Sequence, residues 1–393
     1  MITRTITTEL LKLANSYPVV TIIGPRQSGK TTLARQAFPD LAYYNLESLD
    51  NRELAISDPR SFLSQFSKGA ILDEIQRAPQ LLSYIQEMVD NTDKKGMFVL
   101  TGSHQLELHH AITQSLAGRT AILKLLPLSL VELNGANFNF SVDEYLLYGG
   151  LPGIYKNELD PTRAYRNYLQ TYIERDVRML INLKDLDLFQ KFLKLCASRV
   201  GQILNVHSIS NDLGISSHTI SNWLSVLEAS FIIFRLQPYF ENFGKRLIKS
   251  PKLYFTDVGI ATYLLDIENV AQIARDPLRG NLVENLVILE LLKTRLNQGL
   301  DPHMYFYRDN LGHEVDVIYK KGNELVPIEI KAARTFNSEF LKGLHFVKKL
   351  VDDRCKQGFV IYTGDLEQQI GYVTLLNYLH SNTVFAEAAL LQQ

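Results

Sequence analysis

The stretch Gly24-Pro25-Arg26-Gln27-Ser28-Gly29-Lys30-Thr31 constrains this chain more than any other part of it. It has the form G-x-x-x-x-G-K-[ST], it follows the β-rich run Val19 to Ile23, and it opens a helical pattern from Lys30 to Ala37. In that setting the glycines let backbone N–H groups point at phosphates, with the positive end of a helix behind them. Gly24, Pro25, Arg26, Gln27, Ser28, Gly29, Lys30, Thr31 and Thr32 are therefore the candidate nucleotide-binding residues. Lys30 is expected to neutralise the β and γ phosphates of ATP, and Thr31 to offer a hydroxyl to Mg²⁺.

A second element completes the site. Ala70-Ile71-Leu72-Asp73-Glu74 reads as an apolar strand ending in two acids, with Asp73 in the Mg²⁺ shell and Glu74 orienting the attacking water. Ser103 closes the strand Met97 to Thr101, where it either reaches the γ-phosphate or caps a helix from Gln105 to Ser115. The β-rich runs Val19 to Ile23, Tyr43 to Leu46, Ala70 to Leu72, Met97 to Thr101 and Ala121 to Leu126 alternate with helical stretches. That alternation predicts an α/β domain with a parallel sheet.

At 393 residues the chain is long enough for more than one domain, and Leu147 to Gly153, rich in glycine, marks the expected end of the first, over residues 1–150. Tyr145, Leu146, Tyr165, Tyr168, Leu169, Tyr172 and Ile173 recur at helical spacing, so residues 151–184 read as a helical connector. Residues 185–250 read as three helices and a strand pair, a winged-helix outline. Its third helix, Ser217 to Ala229, lacks Lys and Arg, which duplex binding needs. Ile220, Trp223, Leu224 and Leu227 give that helix an apolar stripe for interdomain packing; nucleic-acid contact is the alternative. A basic cluster, Lys245, Arg246, Lys249 and Lys252, is either a solvated face or a track for a nucleic-acid backbone.

Residues 251–393 read as an α+β domain, with an apolar helix Asn281 to Leu296 before several strands. Gly322-Asn323 is a two-residue hairpin signal between Glu314 to Lys321 and Glu324 to Lys331. In that register Asp316 faces Glu329, and Lys331 lies two residues along on the same face. Facing carboxylates repel unless something cationic lies between them, and a divalent metal is the expected occupant. The other reading is a charged outer ladder with Glu329 satisfied by Lys331 or Lys320.

Two resemblances follow from these residues. GPRQSGKTTL, ILDEIQ, LTGS, LAGR and GGLP resemble a prokaryotic group of AAA-type and STAND-related ATPases, and FTDVG, GNLVEN, EVDVI and IEIKAA resemble the C-terminal domain of unknown function that accompanies them. The likeness makes Arg119, in LAGR, a candidate for stabilising the γ-phosphate, in cis or from a neighbouring copy. His104 stands where the family more often has a small residue. The Asp316, Glu329 and Lys331 pattern, with Glu284 on a preceding helix, resembles the core of restriction-endonuclease-like PD-(D/E)XK nucleases, or an inactive remnant of it. The resemblance implies Mg²⁺ on Asp316, Glu329 and Glu284, with Lys331 positioning or activating water; His313 has no assigned place.

Composition removes other classes. There are 41 Lys and Arg against 42 Asp and Glu, so no global basic character supports a nucleic-acid coat or a polybasic membrane binder. Cys196 and Cys355 show no zinc spacing, and the absence of a disulfide framework, of an ~18-residue apolar run and of a signal-peptide layout at Met1 to Thr5 makes a cytoplasmic protein the expectation. The implied partners are ATP, DNA or RNA, a protein docked on the C-terminal domain, and further copies of the chain; no membrane is implied.

Overall fold

The computed structural model describes residues 2–103, 114–171, 185–240 and 248–385. His104, the start of the expected helix at Gln105, Tyr172, Ile173, Lys245 and Arg246 lie outside the described residues. The chain divides into two compact units, Met1–Leu128 with Ala229–Phe231 and Arg295–Leu300, and Ser129–Glu228 with Ile232–Thr294 and Asp301–Gln393. The first break therefore falls after Leu128, ahead of the expected handover near Gly150. Ser129 accounts for its position, since its side chain caps the next helix, Leu130–Gly135, in a reciprocal box with Glu132.

The first unit holds β1 (Val19–Ile23), β2 (Ala42–Asn45), β3 (Ala70–Asp73), β4 (Phe98–Gly102) and β5 (Thr120–Lys124) in one sheet of order β2-β3-β4-β1-β5. Every pairing is parallel. β1 is buried along its whole length, as a strand covered on both faces should be. Ile6, Leu10, Val20, Ile22, Leu33, Ile71, Val99 and Leu123 form one core in which the helices Thr7–Ala14 and Lys30–Ala37 pack on the sheet. Because all strands run the same way, the segments after β1, β3 and β4 emerge at one edge, the usual place for a ligand on such a sheet.

In the second unit a buried carboxylate ties two glycine-containing segments together. Asp257 accepts from Gly150 N (3.0 Å), Gly259 N (2.9 Å) and Tyr165 Oη (2.8 Å). Gly149 is confined there, because a Cβ would lie 2.0 Å from Tyr165 Oη and 2.1 Å from Asp257 Oδ1. The GGLP and FTDVG segments, separated widely in sequence, are thus two halves of one structural clamp.

Three helices follow, Leu186–Ala197, Val206–Leu213 and Ser217–Ala229, then β6 (Ile233–Leu236) and β7 (Lys252–Phe255) as an antiparallel pair. Gly214 ends the second helix in a left-handed turn (φ 67°), and the Ser216 hydroxyl accepts from Thr219 N at the start of the third. Two expectations change here. The apolar stripe is spent within the unit, since Trp223 packs edge-on against Phe189 and Phe192 with both ring centroids 5.2 Å away. A boundary between 250 and 251 would separate β7 from β6, its one strand partner among the described residues, so the section beginning at 251 is not independent of the one before it.

The remaining strands, β8 (Met304–Arg308), β9 (Glu314–Lys321), β10 (Glu324–Lys331), β11 (Gly358–Tyr362), β12 (Gln368–Ile370) and β13 (Val373–Asn377), form a mixed sheet of order β12-β13-β11-β10-β9-β8. β9 and β10 have the bounds their sequence predicts, and Gly322 (φ 60°) supplies the one positive φ in the two-residue turn between them. Among the described residues no helix is long and apolar enough to cross a membrane.

Candidate functional site

At the edge of the parallel sheet the phosphate loop is built by close contacts. A Cβ on Gly24 would lie 2.1 Å from the Leu125 carbonyl oxygen, so only glycine lets the loop leave β1 beside β5. Gln27 (φ 59°) and Gly29 (φ 93°) turn the chain, and Lys30 opens the helix as expected. Lys30 Nζ donates back to Gly24 O (3.0 Å) and Pro25 O (2.8 Å). Burial lowers its ammonium to about 8, against Glu74 and Asp73, which raise it. Ser28 is buried and its Oγ has no hydrogen-bond partner among the described residues, Arg26 pairs with Glu47 (3.2 Å), and Thr32 is exposed.

The acids of β3 meet this loop. Thr31 Oγ1 donates to both oxygens of Asp73 at 3.0 Å, Tyr43 Oη donates to Asp73 Oδ2 at 2.8 Å, and Thr101 Oγ1 donates to Asp73 Oδ1. A hydroxyl and a carboxylate in contact beside a phosphate loop fit Mg²⁺, which takes one or two protein oxygens and completes its shell with phosphate and water. Glu74 adopts a left-handed backbone (φ 56°, ψ 48°), and its Oε2 accepts from Ser103 Oγ (2.9 Å) and from Gln76 Nε2. Burial raises the Glu74 carboxyl, but the charge of Lys30 and the hydrogen bonds from Ser103 and Gln76 outweigh it and leave the group below its ordinary value.

Ser103 therefore touches the candidate base. Arg119 is not brought to this edge. Its carbonyl accepts from Val19 N at the beginning of β1, and its guanidinium clasps Asp90 (Nε–Oδ1 2.5 Å, Nη2–Oδ2 2.8 Å). The length of β1, roughly 13 Å at ~3.3 Å per residue, separates that backbone position from the loop, which corrects the expectation of a role in cis. Sequence reading missed Tyr43, Thr101 and Gln76. It also missed Arg4, which is almost wholly buried and donates from Nη1 to Ser28 O (2.7 Å) and from Nη2 to Leu126 O (2.6 Å).

A second cluster gathers in the C-terminal sheet. Backbone pairing of β9 with β10 runs through Val317 and Ile328, one step short of Asp316 and Glu329, and beyond it the Asp316 carboxylate accepts from Ile330 N (2.8 Å). Lys331 Nζ lies 2.5 Å from Glu329 Oε1 and 4.0 Å from Asp316 Oδ2, so Lys331, Glu329 and Asp316 do meet. Glu329 Oε2 is buried without a partner among the described residues; burial and the charge of Asp316 push this carboxyl up despite Lys331. Glu284, from the helix Arg279–Asn297, accepts from Tyr254 Oη (2.5 Å). Burial and Asp316 raise its carboxyl too. His313 stacks on Phe346 with ring centroids 4.0 Å apart and bonds Asp309, so it has a structural place instead of a metal one.

Lys252 overturns its reading as part of a solvated basic face. Its ammonium lies 2.7 Å from Glu314 Oε1, 3.0 Å from Glu284 Oε1 and 3.8 Å from Asp316 Oδ1, with the side chain only 3% exposed. Burial alone would lower its pKa, but Glu284, Asp316 and Glu314 together raise it above the ordinary lysine value. Among the described residues no group of three or more His, Cys, Asp and Glu is placed to hold a metal ion. Lys252 thus stands beside Glu284 and Asp316, two of the three residues, with Glu329, that were expected to hold a metal ion. Repulsion between the acids is relieved by two ammoniums, Lys331 from the same strand as Glu329 and Lys252 from β7.

Residues 16–134 match a family described as an AAA domain, residues 139–271 a domain of unknown function (DUF8612), and residues 279–380 another domain of unknown function (DUF4143). The chain is 28% identical over 363 residues to an uncharacterized protein of Mycobacterium tuberculosis, covering 91% of this chain and 79% of that one. It is 26% identical over 398 residues to an uncharacterized protein of Haemophilus influenzae, covering 92% of each. Among solved structures, the Walker-type ATPase of Pyrococcus abyssi aligns with a TM-score of 0.43 at 17% identity, over 66% of this chain and 94% of that one. A STAND protein of Pyrococcus horikoshii aligns with a TM-score of 0.29 at 14% identity, over 75% of this chain and 47% of that one. The match of residues 16–134 to an AAA domain is in keeping with the parallel sheet and phosphate loop of that section.

Proposed function

We propose that this protein is an ATP-binding and ATP-hydrolysing regulatory switch. The carrying observation is that Thr31 contacts Asp73 while Ser103 and Gln76 hold Glu74, all beside the phosphate loop. In the proposed reaction the loop N–H groups and Lys30 bind the phosphates, and Lys30 exchanges its two loop carbonyls for phosphate oxygens. Mg²⁺ on Thr31 and Asp73 would supply charge neutralisation on the β and γ phosphates. Glu74, kept ionised and aimed by Ser103, orients a water and accepts its proton as that water bonds to the γ-phosphorus and ADP leaves. Measured ATP affinity and phosphate release test this: Lys30→Ala should lose binding, and Glu74→Gln should bind ATP without turning it over. Undiminished turnover in Glu74→Gln would show that water is activated elsewhere.

For the sections that follow, the order of three helices and the β6–β7 pair supports a winged-helix reading from residue 185 through the end of β7 at Phe255. The hairpin acids support a restriction-endonuclease-like core in the section beyond β7, in a cytoplasmic protein. Of the two roles for that core, a module that docks a partner is favoured over a metal-dependent nuclease by the position of Lys252 among the carboxylates. Incubating full-length protein with DNA and RNA in Mg²⁺ or Mn²⁺ separates the roles. Cleavage by wild type that is absent in Asp316→Ala would restore the nuclease reading. Arg119, with its guanidinium at the surface of the far edge, fits action on the nucleotide of a neighbouring copy in a homo-oligomer.

A further inference from the structure

Glu284, Glu314 and Asp316 come from a helix and a strand well apart in sequence, yet all three turn toward one ammonium that none of their own elements supplies. Lys252 reaches them from β7, and its place is fixed along its whole length. Its backbone pairs with Leu236 of β6 on one side and bridges Ile203 on the other. Its ammonium lies 5.7 Å from the centre of the Phe306 ring. Glu284 Oε1, the oxygen nearest Lys252, also takes the Tyr254 hydroxyl, while Glu314 Oε2 is engaged by Arg308 (3.1 Å) and Asp316 Oδ2 by Ile330 N. A divalent ion would need these same oxygens. It would have to share them with a buried cation of like charge that has almost no solvent path along which to withdraw.

We propose that Lys252 is the resident cation of this cluster, standing where a divalent ion would have to sit, so that the intact protein takes up no divalent ion on Glu284, Glu314 and Asp316. The ammonium neutralises carboxylates that could not otherwise remain buried together. It also joins the helical section to the C-terminal sheet, because its strand belongs to the pair β6–β7 and its charge to the acids of β9. The inference is independent of ATP hydrolysis, and it bears on cleavage only by stating that Lys252 must leave before a metal could enter.

The test is titration of the full-length protein with Mn²⁺, without nucleotide, by calorimetry and by water-proton relaxation, with ATP hydrolysis measured on the same preparations. Wild type and Asp316→Asn should give the same isotherm. Lys252→Met, close in shape and uncharged, should gain one equivalent that Lys252→Met/Asp316→Asn lacks, with an apparent affinity at least about tenfold above any Asp316-dependent binding in wild type. Should the single variant fold poorly with three unneutralised acids, Lys252→Met/Glu314→Gln removes one of them and is expected to show the same gain. Mn²⁺ should raise the melting temperature of whichever variant is used. Asp316-dependent Mn²⁺ binding by wild type would overturn the proposal, and so would failure of both Lys252 variants to gain the equivalent. A loss of ATP hydrolysis with either metal result would count only against the N-terminal reading.

Discussion

Replacing Arg4 by alanine should weaken the nucleotide site from behind. The guanidinium spans Ser28 O in the phosphate loop and Leu126 O after β5, with 8% of the residue exposed. Each bond is charge-assisted and buried, a class that contributes ~1.5–3 kcal/mol, and their removal leaves two carbonyls shut away from water. Against this, the freed chain regains about 2 kcal/mol of side-chain entropy that arginine gives up when ordered. The balance is a loss of ~1–4 kcal/mol in the stability of the N-terminal unit. The loop would also lose the tie that sets the Ser28 peptide, and an affinity change of about tenfold for ATP corresponds to a displacement costing only ~1.4 kcal/mol. Arg4→Lys, whose point charge can satisfy one carbonyl but not span both, should recover about half of each effect. Urea denaturation and titration with a fluorescent ATP analogue measure the two quantities separately. Stability within about 0.5 kcal/mol of wild type together with unchanged affinity would refute the clamp, since that is the scatter of ordinary surface substitutions.

Ser103→Ala should lower the turnover number by roughly tenfold to a hundredfold with little change in ATP affinity, because it frees Glu74 without touching Lys30 or Thr31; an unchanged turnover number would remove Ser103 from the site. Trp223→Ala should cost ~3–5 kcal/mol in the second unit, read by urea denaturation, since it empties the contact with Phe189 and Phe192. Asp257 is fully buried, and burial holds its carboxyl above the ordinary value despite Lys293 and the hydrogen bonds from Gly150, Tyr165 and Gly259. The folded chain binds that proton more tightly than the unfolded one, so the stability it contributes is fully present below the unfolded value of ~3.9 and declines as pH rises to the raised folded value. Melting temperatures of Asp257→Asn taken over that window should lack this decline while lying below wild type; a parallel slope in both proteins would refute the assignment.

Local chemistry explains what the sequence alone makes legible. The helix at Lys30–Ala37 and the strands Glu314–Lys321 and Glu324–Lys331 begin and end where expected, because a glycine-rich turn and a Gly-Asn hairpin impose their geometry over a few neighbouring residues. Asp73 and Glu74 were legible for a related reason: an apolar run ending in acids marks the edge of a buried strand, and the phosphate loop defines which edge. Long-range contacts decided the rest. Lys252 read as one of four neighbouring cations, and nothing local distinguishes a lysine that meets solvent from one that meets a glutamate 32 residues away. Arg4 offered no pattern at all, since its partners are backbone carbonyls, which every residue carries. Arg119 lies at the wrong edge for cis action because a residue's position in a parallel sheet depends on strand direction and register, which its own motif does not encode. Sequence periodicity reports which way a side chain faces on its own element; the partner that satisfies a buried charge is chosen only when distant elements pack, and in this protein that choice placed an ammonium where the acids alone suggested a metal.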